Sequence, residues 1–101
     1  MAMRLVGRER LLEFERKHQD ARSWIRVWVA EVREANWKTP HDVKNRYASV
    51  SLLGSNQVIF NVCGNKYRME CIITYETKSV VVAWIGTHAE YSKRFSRQER
   101  Q

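Results

Sequence analysis

The segment from Phe60 to Arg94 constrains the fold of this chain more than any other, because it alternates strand-like runs with turn residues. It reads FNVCGNKYRMECIITYETKSVVVAWIGTHAEYSKR. Between Tyr67 and Tyr75, apolar side chains take every second position and mostly polar ones lie between them. That period of two predicts a strand with one buried face and one exposed face.

Two further strands are predicted to flank this one. The apolar run at 58–62 is separated from it by Gly64-Asn65, a dipeptide that tolerates the positive φ of a turn. After a polar turn at 76–78, the almost wholly apolar run 80–85 predicts a third strand, which Gly86 is predicted to end. We expect these strands to form an antiparallel sheet.

A helix is predicted to begin directly after the strands. The segment Thr87–Glu90 fits the S/T-x-x-E capping box, in which the first and fourth residues satisfy each other's backbone N–H groups. The strands and the helix start therefore present Lys66, Arg68, His88 and Tyr91 from one compact framework. These four are the first candidates for a functional site.

The beginning of the chain predicts a short strand and a helix. Met3 to Val6 form an apolar segment that predicts a first or edge strand. A helix is predicted from Arg8 to Lys17, with Leu11, Leu12 and Phe14 facing inward.

The second helix, from about Ala21 to Ala35, has the stronger amphipathic pattern. Trp24, Trp28 and Val32 recur at intervals of four and share one face. Asp20 precedes the helix as its predicted N-cap. We expect the two helices to form an antiparallel hairpin that covers one face of the sheet.

A short third helix is predicted to run to about Tyr47. Thr39 is its predicted N-cap, Pro40 its first helical position and Asp42 the third. The segment 48–53 can then hold a short strand. The order β-α-α-(α)-β-β-β-α predicts an α+β fold, in which helices pack mainly on one face of an antiparallel sheet.

Length and charge bound the class of protein. The 101 residues are predicted to form one domain, residues 1–101, with a small core to which four tryptophans contribute much of the bulk. The 18 basic and 11 acidic residues give a formal net charge of +7. Such an excess favours a polyanionic partner such as nucleic acid, or an acidic protein.

Several other classes are disfavoured. No stretch is apolar over the roughly 20 residues that a membrane span needs, and the first residues lack the apolar region of a signal peptide. Cys63 and Cys71 fit reduced thiols in a cytoplasmic protein. Closely spaced zinc ligands are not found in the sequence, so we expect neither a metal nor another cofactor.

Two motifs carry a resemblance to a known family. FNVCGNKYR followed by IGTHAEYSKR resembles the HigB family of type II toxin–antitoxin toxins, within the RelE-like superfamily. The tryptophan-bearing helix and the TPHDVK segment lie where that family has comparable elements, so the resemblance covers nearly the full length. It implies a RelE-like fold and an mRNA interferase, a metal-independent endoribonuclease that cuts mRNA on the ribosome and inhibits translation.

The resemblance also implies partners. A HigA-like antitoxin with a helix-turn-helix domain would neutralise the toxin, and the complex would bind operator DNA through the antitoxin. Ser92 departs from the family pattern, since many relatives have an acidic residue after the tyrosine. That departure weakens any mechanism that requires a carboxylate at this position.

Metal-free RNA cleavage defines roles for the candidate residues. The 2′-hydroxyl attacks phosphorus, so a base takes its proton, positive charge stabilises the phosphorane, and an acid protonates the leaving 5′-oxygen. Arg68 is the candidate for phosphate stabilisation, because a planar guanidinium grips two phosphate oxygens. Lys66, on the same predicted face, can hold phosphate or, with a lowered pKa, act as the base. The alternative for both is a solvated, exposed side chain.

His88 and Tyr91 complete the candidate catalytic set. His88 lies in the first turn of the helix, where the macrodipole disfavours the imidazolium and favours a neutral ring. Tyr91 lies at i+3 on the same side, where it can donate a proton, stack on a base or simply pack. Four more basic residues are predicted to bind the RNA backbone, with a solvated face as the alternative: Lys44, Arg46, Lys93 and Arg94.

Other conspicuous side chains are not assigned to the site. His18 and His41 are predicted to lie at the surface, and the two cysteines lack the neighbours of a catalytic thiol. The core is predicted to contain Trp24, Trp28 and Trp84. Trp37 can also pack there, or it can contact RNA or the antitoxin.

Two other functions remain open from the sequence. The chain can be an RNA- or ribosome-binding module without cleavage, which would tolerate loss of His88. It can instead be a corepressor within an antitoxin–DNA complex, which would tolerate loss of the whole candidate site. Cleaved message separates the enzyme from both.

Overall fold

The computed structural model describes residues 3–54 and 56–99, with side chains described through residue 94. A five-stranded sheet and four α-helices make up this part of the chain, with a short 3₁₀ turn between the first two helices. The strands are β1 (Arg4–Val6), β2 (Ser51–Leu52), β3 (Gln57–Val62), β4 (Tyr67–Thr74) and β5 (Ser79–Thr87). The helices are α1 (Arg8–Lys17), α2 (Arg22–Glu34), α3 (Pro40–Arg46) and α4 (His88–Glu99). The predicted α+β fold is confirmed.

The sheet has the strand order β1-β5-β4-β3-β2. Strands β2 to β5 are antiparallel neighbours, as predicted. The first strand is the exception, because β1 pairs in parallel with β5 at the edge, with Arg4 opposite Ser79 and Val6 opposite Val81. Parallel pairing requires a long crossover connection, and the whole chain between β1 and β5 provides it.

One face of the sheet builds the core with helices α1 and α2. Tyr67 and Met69 are buried on β4, and Met69 pairs with Phe60 of β3. Phe14 of α1 meets the Tyr67 ring edge-on at 5.1 Å, and Trp28 of α2 meets the Phe60 ring at 5.4 Å. The alternation of β4 thus buries its apolar side chains, as the sequence predicts.

The opposite face carries polar and aromatic side chains beneath α4. Arg68 and Glu70 of β4 lie on this face, because neighbouring strand residues point to opposite sides. Their partners on β5 are Gly86 and Trp84. Helix α4 packs against β4 and β5, and Arg94 donates to Glu70 across this contact. Helices therefore lie mainly on one face, as predicted, with α4 on the other.

Leu12 does not face the core. Its exposed fraction is 47%, whereas Leu11 and Phe14 are buried. Consecutive helix residues point about 100° apart, so the side that buries Leu11 and Phe14 leaves Leu12 in solvent.

Asp20 is not the N-cap of the second helix, which corrects the sequence prediction. The 3₁₀ turn Gln19–Ala21 delays the start of α2, and Ala21 takes the cap position without a side-chain hydrogen bond. The Asp20 carboxylate instead accepts hydrogen bonds from the side chains of Lys66 and Tyr67.

Gly86 does not end the third predicted strand. β5 continues to Thr87, and Gly86 pairs with Arg68. A β-carbon on Gly86 would lie 2.5 Å from the Trp84 ring. The glycine is therefore needed for close packing within the strand and not as a terminator.

The predicted start of α3 is confirmed, since Thr39 and Asp42 form a reciprocal capping box around Pro40. The tryptophans divide between two environments. Trp28 and Trp37 are buried in the core, which settles the choice that the sequence left open for Trp37. Trp24 is partly buried against the core, and Trp84 is partly buried on the opposite face of the sheet.

Candidate functional site

Arg68, His88 and Tyr91 lie together on the sheet face that carries α4. The Nη2 atom of Arg68 lies 3.1 Å from Nε2 of His88. The guanidinium carbon of Arg68 lies 5.2 Å from the centre of the Tyr91 ring, within the range of a cation–π contact. One strand residue and two residues of the first helical turns thus form a single cluster.

The start of α4 is fixed beside Arg68 by one strand pairing and three hydrogen bonds. Thr87, the last residue of β5, pairs with Tyr67 in the sheet. The Thr87 N–H donates to Glu90 Oε1 at 2.8 Å, and the Glu90 N–H donates to Thr87 Oγ1 at 3.1 Å. The His88 N–H donates to the carbonyl oxygen of Lys66 at 3.3 Å. The predicted capping box therefore forms, and its hydrogen bonds lower the pKa of the Glu90 carboxyl.

Two nitrogen atoms meet in the contact between Arg68 and His88. A guanidinium has donors only, so a hydrogen bond between the two side chains has Nε2 of His88 as its acceptor. The Nε–H of Arg68 is buried and has no hydrogen-bond partner among the described residues. Buried donors without a partner are rare in folded proteins, so this N–H is an unsatisfied donor within the cluster.

A second arginine fastens α4 to the sheet behind this cluster. Arg94 Nη1 donates to Glu70 Oε2 at 2.9 Å, and its guanidinium carbon lies 4.5 Å from the Trp84 ring centre. Glu70 also accepts from the Gln57 side chain. Arg94, predicted to bind the RNA backbone, is therefore engaged in holding α4 in place.

The Lys66 side chain does not join Arg68, which corrects the expectation that the two share a face. β4 begins only at Tyr67, so Lys66 belongs to the turn, and its ammonium pairs with Asp20. The hydroxyl of Tyr67 donates to the other carboxylate oxygen of Asp20 at 2.6 Å.

The pairing with Asp20 also affects the protonation of Lys66. Its hydrogen bond to Asp20 raises the pKa of Lys66, and the same bond lowers the pKa of Asp20. A general base needs a lowered amine pKa, so this pairing favours the charged ammonium, which can bind phosphate, over the base.

A comparison with protein families decides the class of the chain. A family model described as HigB_toxin, RelE-like toxic component of a toxin–antitoxin system, matches residues 21–94. This chain belongs to the HigB toxin family. No curated protein matches the chain. Family membership makes the protein the toxic component of a toxin–antitoxin system, which implies an antitoxin as its partner.

Two of the other predicted RNA-binding residues of this HigB-family toxin make their contacts around α3. Arg46 pairs with Glu31 of α2 and stacks on Tyr47 at 4.9 Å. Lys44 donates to the carbonyl oxygen of Val50 at 2.8 Å. Both stabilise the packing around α3, whereas Lys93 is exposed on α4.

Two residues near the cluster were not assigned to the site from the sequence. Asn61 of β3 lies directly opposite Arg68, and its amide donates to the Ser49 carbonyl at 3.2 Å. The Gly64-Asn65 turn could have predicted this pairing, because Asn61 and Arg68 lie the same number of residues before and after it. Asp20 was not assigned to the site because its partners, Lys66 and Tyr67, are distant from it in sequence.

The histidine of the first interhelical turn has a packing role in this toxin. The His18 ring stacks on Phe14 at 4.3 Å and lies 5.1 Å from the Tyr67 ring. It is only partly exposed, so the predicted surface position is correct in part. Both cysteines are free, and burial raises the pKa of each thiol, which disfavours a nucleophilic thiolate. None of the described helices is both long and apolar enough to cross a bilayer.

Proposed function

We propose that this toxin is a metal-independent mRNA endonuclease that acts on the ribosome. The observation that carries the proposal is the contact between the Arg68 guanidinium and the His88 ring, with the Tyr91 ring against the same guanidinium. A phosphate group fits this arrangement, because it accepts parallel hydrogen bonds from a guanidinium.

The proposed reaction is an internal transesterification of RNA. The 2′-oxygen forms a bond to phosphorus, and the bond from phosphorus to the 5′-oxygen of the next nucleotide breaks. The products carry a 2′,3′-cyclic phosphate and a 5′-hydroxyl. One proton leaves the 2′-hydroxyl and another reaches the 5′-oxygen, so no metal or redox partner is required.

Arg68 and His88 divide the work of this reaction. When the phosphate takes the donors of Arg68, the Nε2 lone pair of His88 is released and can accept the 2′-hydroxyl proton. The guanidinium stabilises the charge of the phosphorane. Tyr91 supports the guanidinium with its ring, and Lys66 adds a second positive charge once it leaves Asp20.

The proposed partners follow the same scheme. The antitoxin carries a helix-turn-helix domain, covers the basic surface around Arg68, and takes the complex to its operator. On the ribosome, mRNA reaches Arg68 while the basic surface of the toxin contacts RNA backbone.

The test is primer extension on a reporter message incubated with the toxin, with and without ribosomes. Wild type is expected to cut the message only when ribosomes are present. Arg68→Ala is expected to lower the cleavage rate by about 10²-fold or more, and His88→Ala by about 10²- to 10⁴-fold. Arg33→Ala is the matched control, since it removes an exposed arginine from α2 on the other face of the sheet.

Each variant is first shown to fold by circular dichroism and to bind the antitoxin. Absence of cuts by folded wild type under both conditions would contradict the proposal and favour a binding module. Equal losses in Arg33→Ala and Arg68→Ala would show that net charge, and not the Arg68 cluster, governs the rate.

A further inference from the structure

The turn that precedes β4 holds a lysine next to the candidate site and directs its side chain elsewhere. The carbonyl oxygen of Lys66 accepts the N–H of His88, and Arg68 follows two residues later. The backbone of Lys66 therefore adjoins the cluster. Its ammonium, however, is paired with Asp20 of the 3₁₀ turn between α1 and α2.

This ion pair is accessible to a competing anion. The side chain of Lys66 is 62% exposed and that of Asp20 is 44% exposed. Pairs between exposed side chains are weak, because water screens the charges and two flexible chains must be ordered. An RNA phosphate held by Arg68 would present a second anion to the same ammonium.

The Asp20 carboxylate has a second attachment that does not depend on Lys66. Its Oδ1 atom accepts the Tyr67 hydroxyl at 2.6 Å, whereas Oδ2 accepts from Lys66. Departure of the ammonium therefore leaves the link between the 3₁₀ turn and β4 in place. The exchange therefore changes one partner of Lys66 and does not require the 3₁₀ turn to move away from β4.

We propose that Asp20 competes with RNA for Lys66, so that a phosphate bound at Arg68 takes the ammonium from the carboxylate. This inference rests on the proposed function. Asp20 does not touch RNA in this scheme. It is a positioning residue that lowers RNA affinity by holding Lys66, and its removal strengthens binding.

The experiment measures binding of a short fluorescein-labelled 2′-O-methyl RNA of mixed sequence by fluorescence anisotropy. The methyl group blocks the nucleophile, so binding is measured without cleavage. Asp20→Asn is expected to tighten binding by about two- to five-fold. Lys66→Met is expected to weaken it, and Asp20→Asn added to Lys66→Met is expected to have no further effect.

Two control variants separate exchange from other effects of the substitution. Glu76→Gln removes the same negative charge from an exposed position in the turn between β4 and β5. Tyr67→Phe removes the other hydrogen bond to Asp20 and keeps the Lys66 pair. Neither is expected to tighten RNA binding.

The salt dependence of binding adds a second readout. Each phosphate contact on single-stranded nucleic acid contributes a slope of about −0.7 to log K against log salt. Lys66→Met is therefore expected to reduce the slope by about 0.7. Asp20→Asn is expected to keep the wild-type slope at higher affinity, because both proteins make the same contacts when bound.

The outcomes distinguish this inference from the proposed function. Binding that depends on Arg68 but is no tighter in Asp20→Asn would overturn the exchange alone. Tightening that persists without Lys66, or that Glu76→Gln reproduces, would also overturn it. Failure of wild type to bind the RNA, or binding that ignores Arg68→Ala, would also overturn the exchange, whereas the proposed function is decided separately by primer extension with ribosomes.

Discussion

At the scale of single residues, the Tyr91 ring contacts the central arginine of the candidate site. It lies beneath the Arg68 guanidinium and 6.1 Å from the ring of Trp84. A guanidinium over an aromatic face is restrained in the plane that phosphate recognition needs. We therefore propose that the Tyr91 ring, and not its hydroxyl, has the larger part in the proposed reaction.

This assignment predicts different effects for two substitutions of Tyr91. Tyr91→Phe keeps the ring and is expected to retain the cleavage rate on ribosomes within about threefold, whereas Tyr91→Ala is expected to lose about tenfold. Single-turnover cleavage of reporter message measures both. An equal and large loss in both variants would instead identify the hydroxyl as a proton donor.

At the scale of elements, the described part of the chain contains two capping boxes of the same construction. Thr39 with Asp42 starts α3, and Thr87 with Glu90 starts α4. Only the second box holds candidate catalytic residues, because His88 follows Thr87 directly. Loss of the first box is therefore expected to affect only the stability of the protein, whereas loss of the second is expected to affect both stability and cleavage.

Loss of either cap is expected to destabilise the protein by about 1 kcal/mol. Thr39→Ala and Thr87→Ala are compared by urea unfolding and by cleavage on ribosomes. Only Thr87→Ala is expected to lower the cleavage rate under conditions where both variants are folded, because the start of α4 positions His88. Equal activity of the two variants would show that His88 does not depend on its cap.

Local patterns predicted the elements that depend on local interactions. The alternation in β4 and both capping boxes needed only residues within a few positions of each other. Asp20 was assigned to a helix cap because aspartate favours that position, but Lys66 and Tyr67 compete for its carboxylate across a large separation in sequence. Gly86 was assigned to a strand end because its close neighbour, the Trp84 ring, is defined only by the folded sheet.

At the scale of the whole molecule, one face of the sheet carries the core residues and the other carries the candidate catalytic residues. Met69 is fully buried on the core face, and Arg68, its neighbour in sequence, lies on the face beneath α4. One step along β4 therefore moves from a packing position to a candidate functional position. The alternation of a strand makes this division possible.

Substitutions of these two neighbours are expected to have opposite consequences. Met69→Ala is expected to lower the free energy of unfolding by about 2–5 kcal/mol, because it leaves a cavity in the core. Arg68→Ala is expected to change it by less than about 1 kcal/mol. Urea unfolding measures both, and a large loss in Arg68→Ala would make its effect on cleavage a consequence of unfolding.

The candidate site was only partly predictable for a related reason. The motifs GNKYR and GTHAEY carried the family resemblance and named Arg68, His88 and Tyr91, which the structure brings together. The orientation of Lys66 could not be predicted, because a turn residue can direct a long side chain to either face. The roles of Arg46 and Arg94 also depended on partners, Glu31 and Glu70, that lie on other elements.

The parallel pairing of β1 with β5 has a consequence for the time at which the toxin becomes active. It joins the most distant residues of the sheet, so closing it carries a large loop-entropy cost and slows folding. A chain emerging from the ribosome cannot complete its sheet until Val81 has been synthesised, and His88 and Tyr91 follow later still. Synthesis order therefore imposes a delay between the appearance of the chain and the assembly of its Arg68 cluster.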